Sequence, residues 1–236
     1  MSQFLKLYPG DKDFKEVSER EWDAPFEPFK DQNGHGNILG LTADVRVFDR
    51  PGGKIVVAKK WPSRSFIRNF GRTLRSIFAG TSIAIFDSAA GSFETTVGGS
   101  TAFQSGGAAV LPRRSAIIGT AAALAVGDGA GAEDHTYNDL LSRVGPIVPA
   151  SDGVATTLDD ATTLTFQITQ GITISQSGGI TAREIGMYIR FRRKFGAPDP
   201  TTVEGNPSLV AYDQIAATPV AQGGVIAPRY TLNFPV

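Results

Sequence analysis

The chain has 236 residues, with 23 Lys plus Arg against 23 Asp plus Glu and a formal net charge of zero, so no global basic field directs it to nucleic acid. It contains no Cys, which excludes disulfides, thiolate metal sites and a thiol nucleophile and fits assembly in a reducing cytoplasm. No segment approaches about 20 uninterrupted apolar residues, and the opening MSQFLKLYPGDKDFKE has no apolar signal core, so a soluble protein that is not exported by a signal peptide is expected.

From Met1 to about Gly36 the chain is polar, acidic-leaning and punctuated by Pro9, Pro25, Pro28, Gly34 and Gly36. Its large apolar residues, among them Phe4, Leu5, Tyr8, Trp22, Phe26 and Phe29, keep no period. That combination predicts an extended N-terminal arm over residues 1–37 that docks in pieces on its own domain or on a neighbour. Residues 38–236 are then expected to form one β domain. Its first hairpin runs from Ile38 to Ala58, where Leu39, Leu41, Ala43, Val45 and Val47 alternate before the Asp49-Arg50-Pro51-Gly52-Gly53 turn.

One amphipathic helix is expected over residues 65–79. Phe66, Ile67, Phe70, Leu74, Ile77 and Phe78 fall on one stripe of the helical wheel, and Arg64, Arg68, Arg72 and Arg75 gather opposite. Ser63 or Ser65 suits the N-cap and Gly80 the C-terminal left-handed position. A basic stripe of this kind can meet phosphates or a membrane surface, but packing of the Phe face on a sheet explains it with fewer assumptions.

Residues 81–125 are rich in Gly, Ala, Ser and Thr, with short apolar runs at Ile83–Phe86 and Ser115–Ile118, and the stretch Ala89 to Gly107 reads as loop. Gly127-Asp128-Gly129-Ala130-Gly131 is not a phosphate cradle, since Glu133 and Asp134 stand where neutral or positive groups are needed. Asp128, Glu133, Asp134 and Asp139 could offer oxygens to Ca²⁺, yet their spacing does not match an EF-hand loop and turn-forming Asp is the simpler reading. Tyr137 to Val144 reads as a short helix broken by Gly145-Pro146.

The chain's most strongly patterned block is Thr163 to Phe195. Leu164, Phe166 and Ile168, then Ile172 and Ile174, alternate with polar residues; a Ser/Gly turn follows at 175–179; Ile185, Met187, Ile189 and Phe191 alternate beyond it. Two strands around a Gly-rich turn predict an antiparallel pair. Ser208–Tyr212 and Arg229–Phe234 supply two closing strands. The whole predicts a mainly β chain, an antiparallel β-sandwich of jelly-roll or Ig-like type, with one packed helix and the arm.

No catalytic constellation emerges. His35 and His135 are the only histidines and no Ser-His-Asp arrangement follows from spacing. Arg183-Glu184 at a strand start reads as solvated or locally paired, and no carboxylate pair sits in a glycosidase frame. No catalytic, cofactor-binding or metal residue is therefore assigned, and no enzyme activity is expected.

The order of short patterns carries a resemblance. Ser65-Phe66-Ile67-Arg68-Asn69-Phe70 is followed by Val126-Gly127-Asp128-Gly129, Tyr137-Asn138-Asp139-Leu140, Gly171-Ile172-Thr173-Ile174, Ala182-Arg183-Glu184-Ile185-Gly186-Met187-Tyr188 and Tyr230-Thr231-Leu232. Over residues 65–234 this is similar to a group of tailed-bacteriophage virion proteins that share a "vGxG…dtxL" loop, a "gitItEiGLy" strand and a closing "v.Ytl.f" strand. Met187 replaces the usual Leu, and Gly178-Gly179 separate the GITI and EIGMY parts. The resemblance implies a homo-oligomeric component of tail, baseplate, neck or capsid surface, assembled in the host cytoplasm and located in the virion. Its partners would be copies of itself and other virion proteins, met through the arm and sheet edges, with no nucleic acid, membrane, cofactor or small-molecule substrate. The alternatives are a receptor- or carbohydrate-binding module at a virion tip, using loops 89–107 and 199–207 with Phe93 and Phe103, or a capsid decoration protein.

Overall fold

The computed structural model describes residues 2–8, 10–24, 26, 40–63, 66–72, 83–86, 88, 92–95, 122–149, 158–159, 163–189, 192–194, 202–204 and 207–235. In chain order the elements are β1 (Gln3–Lys6), β2 (Lys15–Glu16), α1 (Glu19–Asp23), β3 (Gly40–Phe48), β4 (Ile55–Ser63), β5 (Ile83–Phe86), β6 (Ser92–Thr95), β7 (Ala122–Gly127) and β8 (Arg143–Pro149). They continue with β9 (Leu158–Asp159), β10 (Thr163–Thr169), β11 (Ile172–Thr173), β12 (Ile180–Ile189), β13 (Arg192–Lys194), β14 (Thr202–Glu204), β15 (Ser208–Val220) and β16 (Val225–Pro235). The chain is mainly β, as its alternating runs require.

It forms two compact units, one of Met1–Arg64, Ala150–Ala182 and Ala216–Val236, the other of Ser65–Pro149 and Arg183–Ile215. The seams fall at 64/65, 149/150, 182/183 and 215/216, not at residue 37, and β12 and β15 each begin in one unit and end in the other.

The first unit is built on an eight-stranded sheet in the order β2-β1-β4-β3-β16-β10-β9, with β11 also paired to β16. The β3–β4 hairpin forms where the alternation and turn chemistry place it. Asp49 closes its turn by accepting the Lys54 amide at 2.9 Å, and Gly52 takes the positive φ of 68° that a side chain would resist. The block at Thr163–Phe195 behaves differently from expectation. Its strands exist, but they do not pair with each other: β10 and β11 pair with β16, while β12 pairs with β7 from Glu184↔Gly127 to Ile189↔Ala122. The intervening turn, with Gly178 and Gly179 at φ of 84° and 79°, passes the chain from one sheet to another. Strand periodicity sets which face is buried and leaves the choice of partner strand open.

The predicted arm is partly sheet. β1 lies parallel to β4, from Gln3↔Val57 to Lys6↔Lys60, and β2 adds to β1. α1 starts at Ser18, whose hydroxyl accepts the Glu21 amide at 3.2 Å. It buries Trp22, whose ring lies 5.7 Å from that of Phe4. Residues 27–37 of the arm lie outside the described residues.

Two lysines fasten this segment. Register puts Lys6, Lys60, Asp44 and Arg229 in one row across β1, β4, β3 and β16. Arg229 Nε binds the buried Asp44 carboxylate at 2.5 Å. Lys6 Nζ donates to the carbonyls of Glu21 (2.9 Å) and Ala24 (2.8 Å), and Lys60 Nζ donates to that of Trp22 (2.8 Å). The last carbonyls of a short helix lack intrahelical donors, and these ammonium groups supply them. Phe26 lies under both, 4.6 Å from Lys6 Nζ and 5.8 Å from Lys60 Nζ. The next lysine along, Lys59, points to the other face and donates to the carbonyls of Ala216 and Ala217 (3.2 Å each) and to the Thr218 hydroxyl (2.8 Å).

In the second unit the main sheet runs β15-β12-β7-β8, beside the two-stranded pairs β5-β6 and β13-β14. Phe66 bridges to Ala211, and residues 68–72 are helical. Ser63 ends β4 and is therefore no helix cap. Of the expected helix 65–79, residues 73–79 lie outside the described residues, as do Ser115–Ile118 and most of the 89–107 loop.

Burial, followed by the neighbouring charge of Lys6, holds Lys60 at about 8, against a usual 10.5. Below that value Lys60 is charged in both folded and unfolded chains, and its burial counts against the fold. Between pH 8 and 10.5 the folded chain has released a proton that the unfolded chain still holds, so stability climbs with pH across that window. Burial lowers Lys6 and Lys59 in the same direction. Urea unfolding followed from pH 7.5 to 9.5 is expected to show a rising midpoint, and Lys60→Met is expected to remove the larger share of the rise. An undiminished rise in that variant contradicts the assignment.

Candidate functional site: a loop gripped by Glu184 and Tyr188

Part of the residues that carry the sequence resemblance, those at 127–140 and 183–188, lie in the second unit, while residues 171–174 and 230–232 belong to the first. On β12, Glu184, Gly186 and Tyr188 share one face by the period of two. Register sets Gly127, Ala125 and Ala123 of β7 opposite them. Small residues at these three positions leave room above the sheet, while Leu124 and Val126 fill its other face. The segment 128–142 folds back into that room.

Glu184 is fully buried and its carboxylate is spent on the loop's backbone. Oε1 accepts from the amides of Ser142 (2.7 Å) and Gly129 (3.1 Å), and Oε2 from that of Leu141 (3.0 Å). A side chain at residue 127 would collide with Glu184 Oε1, and one at Gly129 would come within 2.6 Å of it. The Gly127-x-Gly129 spacing is the clearance that this carboxylate needs. Two positions on, a Cβ at Gly186 would stand 2.7 Å from Leu209 Cδ1 and 2.9 Å from Leu140 Cδ2, so the glycine lets Leu140 pack down.

Tyr188 completes the grip. Its hydroxyl donates to Asp139 Oδ1 and accepts the Leu140 amide at 3.2 Å. Burial first, then the Asp139 carboxylate, pushes the Tyr188 phenol well above its usual 10, which keeps it a donor at any physiological pH. Arg143 neutralises the other Asp139 oxygen at 3.3 Å. Around them Ile67, Ala123, Ala125, Leu140, Leu209 and Tyr212 form an apolar cluster, with Tyr137 edge-on to Tyr212 at 5.3 Å.

This geometry corrects two expectations. Glu184, read as solvated or locally paired, is buried and bonded to residues some forty to fifty-five positions away. The helix expected at Tyr137–Val144 is absent: turns occupy 138–139 and 141–142, and β8 begins at Arg143. The amides of Leu141 and Ser142, which a helix would direct to carbonyls four residues back, go to Glu184 instead.

The four acids weighed as a cation site do not converge. Asp128 accepts from the Ser142 hydroxyl, Glu133 from the Gln214 amide, Asp134 from the Thr136 amide, and Asp139 serves Tyr188. No group of three potential metal ligands occurs among the described residues. The Thr136 amide also holds the Asp134 carboxyl below its usual value. His135 is exposed, with Nδ1 3.8 Å from Asp134. Arg68 is exposed and Arg72 half-buried on the 68–72 turn. His35 and Phe103 lie outside the described residues.

Comparison with known protein families, with curated proteins and with solved structures finds no match for this chain.

Glu184→Ala leaves three amides of the loop without their acceptor, at a cost of about 3 kcal/mol or more, and Gly129→Ala forces a methyl against the carboxylate at about 2 kcal/mol. Denaturant unfolding is expected to show both losses. A change under about 0.5 kcal/mol, the range of ordinary surface substitutions, contradicts the grip.

Proposed function

We propose that the chain is a β-sandwich structural subunit of a tailed-bacteriophage virion, part of a tail, baseplate, neck or head surface, and that it works through contacts with copies of itself and with other virion proteins. The observation that carries the reading is the use made of those resembling residues that lie in the second unit. Gly127, Gly129, Asp139, Leu140, Glu184, Gly186 and Tyr188 all serve to fix the shape of one loop. Their polar groups are consumed by backbone amides and by each other, and a carboxylate bonded to three amides is poorly placed to take a substrate's proton. Precise positioning without a reacting group is what an assembly part requires.

The N-terminal segment supports the same reading. β1 joins β4 as a parallel strand, so no tight hairpin ties it to its partner, and strand addition at such an edge is a general way for one chain to bind another. The short edge strands β2 and β9 are further sites for neighbours.

Mass photometry of the purified chain is expected to return oligomers at micromolar concentration, and removal of residues 1–24 is expected to weaken them. A chain that stays monomeric at every concentration and fails to enter particles overturns the reading.

A further inference from the structure

Among the residues whose burial is described, the large apolar side chains left exposed are Val56, at 42%, and Leu141, at 45%. Each belongs to a different kind of surface.

Val56 lines an open hollow of about 590 Å³ in the first unit. Three turns meet there: the β3–β4 turn, the Gly178–Gly179 turn and the β15–β16 turn. Val47, Phe48, Val56, Ile180, Pro219 and Val220 give it apolar walls. Gly179 brings the second turn so close to the third that a Cβ there would strike the Val220 carbonyl. The β3–β4 turn lines the hollow with Asp49, which accepts the Lys54 amide, and carries the exposed cations Arg50 and Lys54.

Leu141 stands on the gripped loop. Its amide is fixed by Glu184, and its side chain lies over Gly131, where a Cβ would collide with Leu141 Cδ1. Ala130, Gly131 and Ala132 beside it are exposed and small. Residues 128–142 hold Asp128, Glu133, Asp134 and Asp139 and no Lys or Arg; Arg143, next in the chain, pairs with Asp139, which leaves Asp128, Glu133 and Asp134. The loop is thus a fixed apolar point with acids around it, and the hollow is an apolar recess whose β3–β4 turn carries two cations against one acid.

We propose that the loop of one copy seats Leu141 in the hollow of a second copy, with Arg50 and Lys54 of the receiving copy facing the loop's acids. This rests on the structural-subunit reading above and names one of its contacts. The hollow exceeds a leucine side chain, so Gly131 and Ala132 enter with it. Because the loop is already fixed, little ordering entropy is lost on seating. The two surfaces differ, so the contact is head-to-tail: it leaves one loop and one hollow unfilled at the ends and repeats until a ring closes or a filament grows.

The absence of cysteine makes the contact directly testable. Two single-cysteine chains, Leu141→Cys and Val56→Cys, differing in tag mass, are mixed under mild oxidation. The cross-linked product is expected to be chiefly the mixed pair. In sedimentation velocity, Leu141→Asp and Val56→Asp, each with a wild-type circular dichroism spectrum, are expected to weaken self-association at least tenfold. Glu133→Lys and Arg50→Glu are each expected to weaken it, and their mixture to restore it. Association of both Asp variants at wild-type strength overturns this contact while leaving the subunit reading standing. Loss of another protein's binding with self-association intact overturns the choice of a second copy. A wild-type chain that never associates and never enters particles overturns both.

Discussion

A buried carboxylate must replace the water it has lost, and Glu184 does so with three backbone amides from a single loop. That constraint orders the second unit. It requires bare backbone at residues 127 and 129, because a methyl at either position intrudes on the carboxylate. It diverts the amides of Leu141 and Ser142 from a helix. It also brings Asp139 and Leu140 to Tyr188, two strand positions further along the same face. Charge-assisted bonds to backbone donors are among the stronger ones available to a protein, and three on one side chain tie the loop to β12 at residues 129, 141 and 142.

The first unit solves the mirror problem with cations. Lys59 and Lys60 are neighbours on β4, so their side chains leave opposite faces of the sheet. Each finds backbone carbonyls: Lys60, with Lys6, those at the end of α1, and Lys59 those of Ala216 and Ala217. Burying ammonium groups costs free energy even when they are bonded, and the lowered position of Lys60 registers that cost. The return is geometric. A five-residue helix has no stability of its own, and it is held by two lysines and by Trp22 and Phe26 packed beneath it.

The alternation of Leu41, Ala43, Val45 and Val47, the Pro/Gly turn after it, and the closing strands around Tyr212 and Tyr230 were legible because periodicity and turn chemistry are local. Pairing was not. The strands flanking Gly178-Gly179 looked like a hairpin and belong to different sheets, since nothing in a strand's own residues names its partner. The burial of Glu184 is beyond local reading for the same reason: its amides come from residues 129, 141 and 142, and local sequence shows a charge without showing its donors. A sharper signal is the spacing of Gly127 and Gly129 with Glu184 and Gly186, which the structure explains as clearance around the buried carboxylate and Leu140. Phe4, Trp22 and Phe26 keep no common period because they come from a strand, a short helix and the segment after it.

On the function proposed above, these arrangements belong to a part whose shape is its use, with polar groups spent on holding loop and arm in place. The most direct measurement of that claim is amide hydrogen exchange resolved at Gly129, Leu141 and Ser142 in the unmodified chain. Protection matching that of the β12 backbone is the predicted result. Exchange at the rate of an open loop means that Glu184 does not hold these amides, and contradicts the account at its base.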